Sequence, residues 1–312
     1  MGRHHLCAWA ACVFVTMIAG AASRPLGSPG TVSMTEAATK DPLPLPSAMG
    51  KFDVDTVSFY VGGFIAGGNQ DAYLVYPTNY DNATNASFPL VVFAHGCCKN
   101  TVNQSASDYN SVFVHLASHG MVVASYNTCL GECNMITFSD DQLYLVSTLR
   151  ERPSLHPVLN MVDFSKVGLF GHSMGGGSTV FSAANISSLE GVTVKVAVAI
   201  DPAPSVAAGL IKVPTFFGCG QNDTIVPCWS VKAMYGAAPK SAGQHTYSVL
   251  RDAGHCAIQD PLPGSPWDYY IVQHMLCHMY DDASACDEIY GTSQSSLCSA
   301  GYMTDCEFKS KE

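Results

Sequence analysis

The sequence predicts an α/β fold with a mostly parallel central sheet and helices on both faces. Three observations carry that prediction. From residue 89 onward, short apolar runs rich in Val, Ile and Phe alternate with longer segments of helical spacing, the pattern of strands joined by crossover helices. Among them stands Gly168-Leu169-Phe170-Gly171-His172-Ser173-Met174-Gly175-Gly176-Gly177, a Gly-x-Ser-x-Gly turn with a strand-like run before it and a helical run over 178–184 after it. Later apolar runs end in Asp201, Asp223 and His255, and in open parallel sheets ligands sit beyond the carboxyl ends of the strands.

Taken in order, residues 1–23 read as a secretory signal peptide. Arg3, His4 and His5 form a basic start and residues 6–18 an apolar run. Ala19-Gly20-Ala21, or Ala21-Ala22-Ser23, supplies a small-residue cleavage site. The run is short for a membrane span and no second long one follows, so no stable membrane anchor is expected. Residues 24–50, rich in Pro, Ser, Thr and Ala without periodicity, read as a flexible leader. The remainder, 51–312, suits one α/β domain with a cysteine-rich tail.

Within that domain, strand-like runs at 56–64 and 71–76 flank Gly67-Gly68-Asn69 and predict an antiparallel hairpin at a sheet edge. A polar loop follows over 79–87, then a strand over 89–94 ending in His95-Gly96-Cys97-Cys98. Tyr109, Val112, Phe113 and Leu116 stand at helical spacing within 107–118. Residues 121–126 form the next buried strand, and 127–134 a loop holding Cys129 and Cys133. A helix over 140–150 opens on Ser139 as its N-cap. After the glycine turn come strands over 192–200, 213–217 and 245–250, a helix following Pro227, and another over 267–280.

Net charge is −10 and only 13% of residues are charged, against 47% hydrophobic. That balance describes a packed core rather than a disordered chain, and it argues against a nucleic-acid partner. Of 13 cysteines, Cys7 and Cys12 lie in the signal segment and 11 follow it, as an oxidising compartment permits. Cys97, Cys98, Cys129 and Cys133 fall in two neighbouring strand-end loops, where a bridge would stiffen the rim. Cys219–Cys256 would tie the Asp223 loop to the His255 loop, leaving Cys228 over. Cys277, Cys286, Cys298 and Cys306 would staple the tail. Asn82, Asn85, Asn103 and Asn185 are glycosylation candidates by pattern; Asn222 also fits but adjoins a candidate acid.

A serine hydroxyl needs a base to become a nucleophile. His255, in a Gly-His turn late in the chain, is the candidate, because the order Ser, acid, His suits this architecture. The acid that orients such a histidine is Asp223 or, one strand earlier, Asp201. Two amides must face the developing oxyanion: Met174, after the serine, and Cys97, in the loop after the His95-Gly96 strand. Cys97 and Cys98 themselves lack the strand-to-helix glycine turn of a nucleophile. His274 and His278 stand i and i+4 on a helix, but no third ligand accompanies them, so no metal and no cofactor is expected.

Gly171-His172-Ser173-Met174-Gly175-Gly176, Val213-Pro214-Thr215, Asn222-Asp223-Thr224-Ile225-Val226-Pro227 and Gly254-His255 together resemble the bacterial-type cutinases and PET hydrolases, α/β-hydrolases near the dienelactone hydrolases. The resemblance covers roughly residues 55–280 and implies the α/β-hydrolase fold. It further implies a serine esterase with Ser173 as nucleophile, His255 as base, Asp223 as acid, and the Met174 and Cys97 amides as oxyanion hole; the signal segment and cysteines add secretion, and a monomer is expected. Two departures stand out. Cys97 replaces the family's aromatic residue after the oxyanion-loop glycine, and Asp201-Pro202-Ala203 stands where a tryptophan is usual. Ile200-Asp201-Pro202 is instead similar to plant chlorophyllases, and platelet-activating-factor acetylhydrolases also take their acid after that strand; either likeness implies Asp201. A non-catalytic binding protein and an acyltransferase on the same scaffold are the competing readings.

Overall fold

The computed structural model describes residues 45, 49–79, 87–96, 106–129, 134–259 and 265–309. The strands are β1 (Asp53–Tyr60), β2 (Gly68–Thr78), β3 (Phe88–Ala94), β4 (Val122–Thr128), β5 (Val162–His172), β6 (Val194–Ile200), β7 (Thr215–Gly220), β8 (His245–Leu250) and β9 (Met303–Lys309). They form one sheet in the order β1-β2-β4-β3-β5-β6-β7-β8-β9. The ladders from β4 through β3 to β8 are parallel, and antiparallel pairs close both edges. The predicted hairpin is the β1–β2 edge, cut short at Tyr60 because Gly62 and Gly63 take positive φ.

Helices α1 (Asn110–Ser118), α2 (Met135–Glu151), α3 (Met174–Asn185), α4 (Cys228–Ala237), α5 (Pro266–Tyr280) and α6 (Ala283–Tyr290) cover the sheet. Successive side chains of a strand point to opposite faces. Leu90, Val92 and Ala94 of β3 therefore join the core under α2, α3 and α4, with Phe138, Val146, Val180 and Val231. Val91 and Phe93 join the core under α1 and α5, with Phe113, Leu116, Trp267 and Met275. Two apolar layers sandwich the sheet, which explains why the central strands read as unbroken apolar runs.

Three expectations change. Helix α2 begins at Met135, not after Ser139: the Asn134 side chain accepts from the Ile136 and Thr137 amides, while Ser139 Oγ donates back to the Ile136 carbonyl. Cys219 bonds Cys228 rather than Cys256, across a Cα separation of 5.6 Å; Cys256 and Cys129 are disulfide-bonded elsewhere. The tail contains α6 and the edge strand β9, neither of which the apolar pattern announced. Its staples are Cys277–Cys286 and Cys298–Cys306. Residues 1–23, Cys97, Cys98, Cys133, Asn82, Asn85 and Asn103 lie outside the described residues.

Candidate active site

Parallel strands place their carboxyl ends on one rim, so residues distant in sequence meet there. Ser173 stands where β5 turns into α3, with φ 55° and ψ −122°. A non-glycine residue in that region costs about 1–3 kcal/mol and persists only when its surroundings impose it. The surroundings are tight. Ser173 N–H donates to the Ile200 carbonyl, and its own carbonyl accepts from Ala203 and Gly177. A Cβ on Gly175 would meet the Ala94 and His95 carbonyls, and one on Gly171 the Gly175 carbonyl. The two glycines of Gly-x-Ser-x-Gly are thus sites of backbone-on-backbone packing.

The Ser173 side chain reaches His255 Nε2 at 2.8 Å, and His255 Nδ1 reaches Asp223 Oδ2 at 2.7 Å. Asp223 Oδ1 accepts from the amides of Ile225 and Val226 at 2.7 and 2.8 Å. Burial opposes its charge, but the His255 hydrogen bond and those two amides outweigh it and hold the carboxyl below its ordinary value. An ionised Asp223 fixes the tautomer: His255 Nδ1–H donates to the carboxylate, leaving Nε2 to accept the serine proton. Both the imidazole and the carboxylate are shielded from water.

His172 is buried beside this line but does not bond the serine. Its Nε2 lies 2.8 Å from the His255 carbonyl, and its Nδ1 2.9 Å from the Tyr109 hydroxyl. Tyr109 Oη in turn accepts from Gly96 N–H at 3.0 Å. Burial and the neighbouring His255 ring push the His172 imidazole down to about 3, so it is neutral. Sequence reasoning missed this tie; the only hint was a histidine next to the serine.

Asp201, at the end of β6, is fully buried with φ 44°. Its Oδ1 accepts from Gly220 N–H at 2.7 Å, and its Oδ2 has no hydrogen-bond partner. One ligand atom each from His172, Asp201 and His255 lies within 4.8 Å of the others. A metal does not suit them: both nitrogens of both rings are already engaged with Tyr109, the His255 carbonyl, Ser173 and Asp223. His274 and His278 do neighbour each other on α5, with ring centroids 4.7 Å apart. Among the described residues no third His, Cys, Asp or Glu completes a ligand cluster with them.

Met174, whose amide is the expected oxyanion donor, opens α3, where the first backbone N–H groups have no helical acceptor. Cys97, the expected second donor, falls outside the described residues; Gly96, before it, packs so closely that a Cβ would meet His172 Nδ1 and Ser173 Cβ. Asn185 is exposed at the end of α3. A hydroxyl, an imidazole and a carboxylate in line, beside a helix N-terminus, form an arrangement suited to acyl transfer. A family model described as PETase, PET hydrolase-like, matches residues 34–300. The chain belongs to the PET hydrolase-like family, within the α/β-hydrolase fold.

Proposed function

We propose that the protein is a secreted serine carboxylic-ester hydrolase working through a Ser173–His255–Asp223 triad. The observation that carries the reading is the continuous hydrogen-bonded line from Ser173 Oγ through His255 to Asp223. Ser173 Oγ attacks the ester carbonyl carbon while His255 Nε2 takes its proton. The tetrahedral intermediate collapses as the imidazolium returns that proton to the leaving alcohol. Water, deprotonated by the same nitrogen, then releases the acid and frees Ser173. The Met174 amide, with that of Cys97, stabilises the oxyanion. Asp223 holds the imidazole and stabilises its charged form. The triad needs no cofactor.

Apolar side chains near the rim favour an apolar ester. Ile225, two residues after Asp223, and Trp229, in the first turn of α4, are exposed to solvent. With Ala203 in place of the family's usual tryptophan, the reading extends to small or lipid-like esters as well as polyesters. Secretion accords with the disulfides and with the sequence of residues 1–23. Among the described residues no helix is long and apolar enough to cross a membrane.

Ser173→Ala should lower kcat on p-nitrophenyl esters by a factor on the order of 10⁴ or more while the protein stays folded. A fluorophosphonate probe should label the wild type and spare this variant. A folded Ser173→Ala protein with undiminished turnover would falsify the reading.

A further inference from the structure

The buried carboxyl that the triad leaves over is Asp201. It is fully enclosed at the end of β6, in a left-handed backbone conformation that the surrounding contacts must impose. Its Oδ1 is satisfied by Gly220 N–H, but Oδ2 points into the protein with no partner. An uncompensated polar atom at such depth is costly, and an uncompensated charge far more so. The groups facing it are the carboxylate of Asp223 from the loop after β7 and the imidazoles of His255, after β8, and His172, on β5. His172 is neutral, and both His255 nitrogens are committed to Ser173 and Asp223. That leaves the Asp223 side chain, which acts on the Asp201 carboxyl directly; the two carboxyls flank the same ring, an Asp201 oxygen lying within 4.8 Å of a His255 nitrogen and Asp223 Oδ2 2.7 Å from His255 Nδ1. Two acceptor-only carboxylates cannot bond each other; one proton between them turns repulsion into a charge-assisted hydrogen bond.

We propose that Asp201 is a positioning residue for the triad: a neutral carboxylic acid that donates its Oδ2 proton to the Asp223 carboxylate. The proton resides on Asp201 because Asp223 already has the His255 N–H and two backbone amides stabilising its anion. Asp201 has one amide and is wholly buried, and burial is the main cause that holds its carboxyl far above the ordinary carboxylate range. A closed set of bonds follows. Gly220 N–H donates to Asp201, Asp201 to Asp223, and His255 to Asp223, so the acid is gripped from β6 as well as from its own loop. The inference rests on the triad reading, deepening it by explaining how the acid is kept ionised and aimed.

Asparagine reproduces this pattern, since its oxygen can accept from Gly220 and its NH₂ can donate to Asp223; leucine keeps the bulk and loses both bonds. Asp201→Asn should therefore hold kcat within about twofold of wild type, while Asp201→Leu should lose roughly tenfold to a hundredfold, the cost of one charge-assisted bond. The acid limb of kcat/KM should not move in Asp201→Asn, because no charge has been removed. If Asp201 were ionised, its removal would destabilise the His255 imidazolium and carry that limb downward by about one pH unit. The direct readout is infrared spectroscopy near neutral pH. The wild type should show a protonated-carboxyl C=O band that Asp201→Asn lacks. The same band in Ser173→Ala, which need not turn over substrate, separates failure of this inference from failure of the triad. Absence of the band, its survival in Asp201→Asn, or a downward-shifted acid limb overturns the proposal.

Discussion

At the scale of single residues, His172 holds two hydrogen bonds whose directions are forced. The His255 carbonyl can only accept, so His172 Nε2 must carry the proton and Nδ1 must be an acceptor. Tyr109 therefore donates to Nδ1 and accepts from Gly96 N–H, and every group in the chain has one compatible role. The chain spans the site: Gly96 precedes the expected oxyanion donor Cys97, and His255 is the candidate base. Tyr109→Phe would strip the buried Gly96 amide of this acceptor and His172 of its donor, a loss of about 1–3 kcal/mol per unsatisfied group. On the triad reading, kcat should fall by roughly tenfold, with KM little changed, since the tie positions reacting groups and touches no substrate. His172→Gln keeps a donor and an acceptor, so it should retain more activity than His172→Leu. Steady-state kinetics with thermal melts checks this. An unaltered kcat in Tyr109→Phe, or equal losses in the two His172 variants, would show that the tie is packing alone.

At the scale of elements, the sequence was informative where a physical signal is local. Apolar runs announced β3, β4, β6, β7 and the second half of β5, and β8 was expected over its observed span; the residues at their ends, Ser173, Asp201, Asp223 and His255, do gather at one rim because parallel strands share a direction. Strand β9 was illegible for the opposite reason. Met303–Lys309 mixes Asp, Glu, Thr and Lys, pairs with β8 alone, and is only partly buried, so no apolar run marks it. Disulfide pairing was illegible too, because it depends on which turn brings two Cα atoms together. The pairing that formed, Cys219–Cys228, clasps the loop on which Asp223 sits. It closes a short loop, and in the chain-entropy picture its removal costs about 2–3 kcal/mol. Replacing both cysteines by alanine should lower the melting temperature and, by loosening Asp223, also depress kcat below what stability alone explains. Assays run well below the melting temperature separate the two effects; a kcat equal to wild type there would mean that the loop holds Asp223 without its clasp.

At the scale of the whole molecule, the buried titratable groups set how stability responds to acid. Burial holds the imidazoles of His95, His172, His274 and His278 below their ordinary value, to about 3 in His172 and about 4 in His278. Between those values and the unfolded value near 6.5, the unfolded chain binds protons that the folded chain refuses. Stability then rises with pH, each fully titrating group adding a slope approaching about 1.4 kcal/mol per unit. Asp223 has the same sign at lower pH, its contribution being present above the unfolded carboxylate value and lost as pH falls through the depressed folded one. Asp201 opposes them, because its folded form keeps a proton that the unfolded form releases, and it offsets part of the slope where the ranges overlap. Several histidines outweigh that one acid. The melting temperature should therefore fall steadily from about pH 7 to about pH 4. His274 identifies the source. Both its nitrogens lack hydrogen-bond partners and it stands outside the proposed triad, so His274→Leu should flatten the acid slope while leaving ester turnover near wild type. A melting curve insensitive to pH over that range would mean that these rings gain protons without unfolding the chain. An undiminished slope in His274→Leu would place the acid sensitivity on the other buried groups.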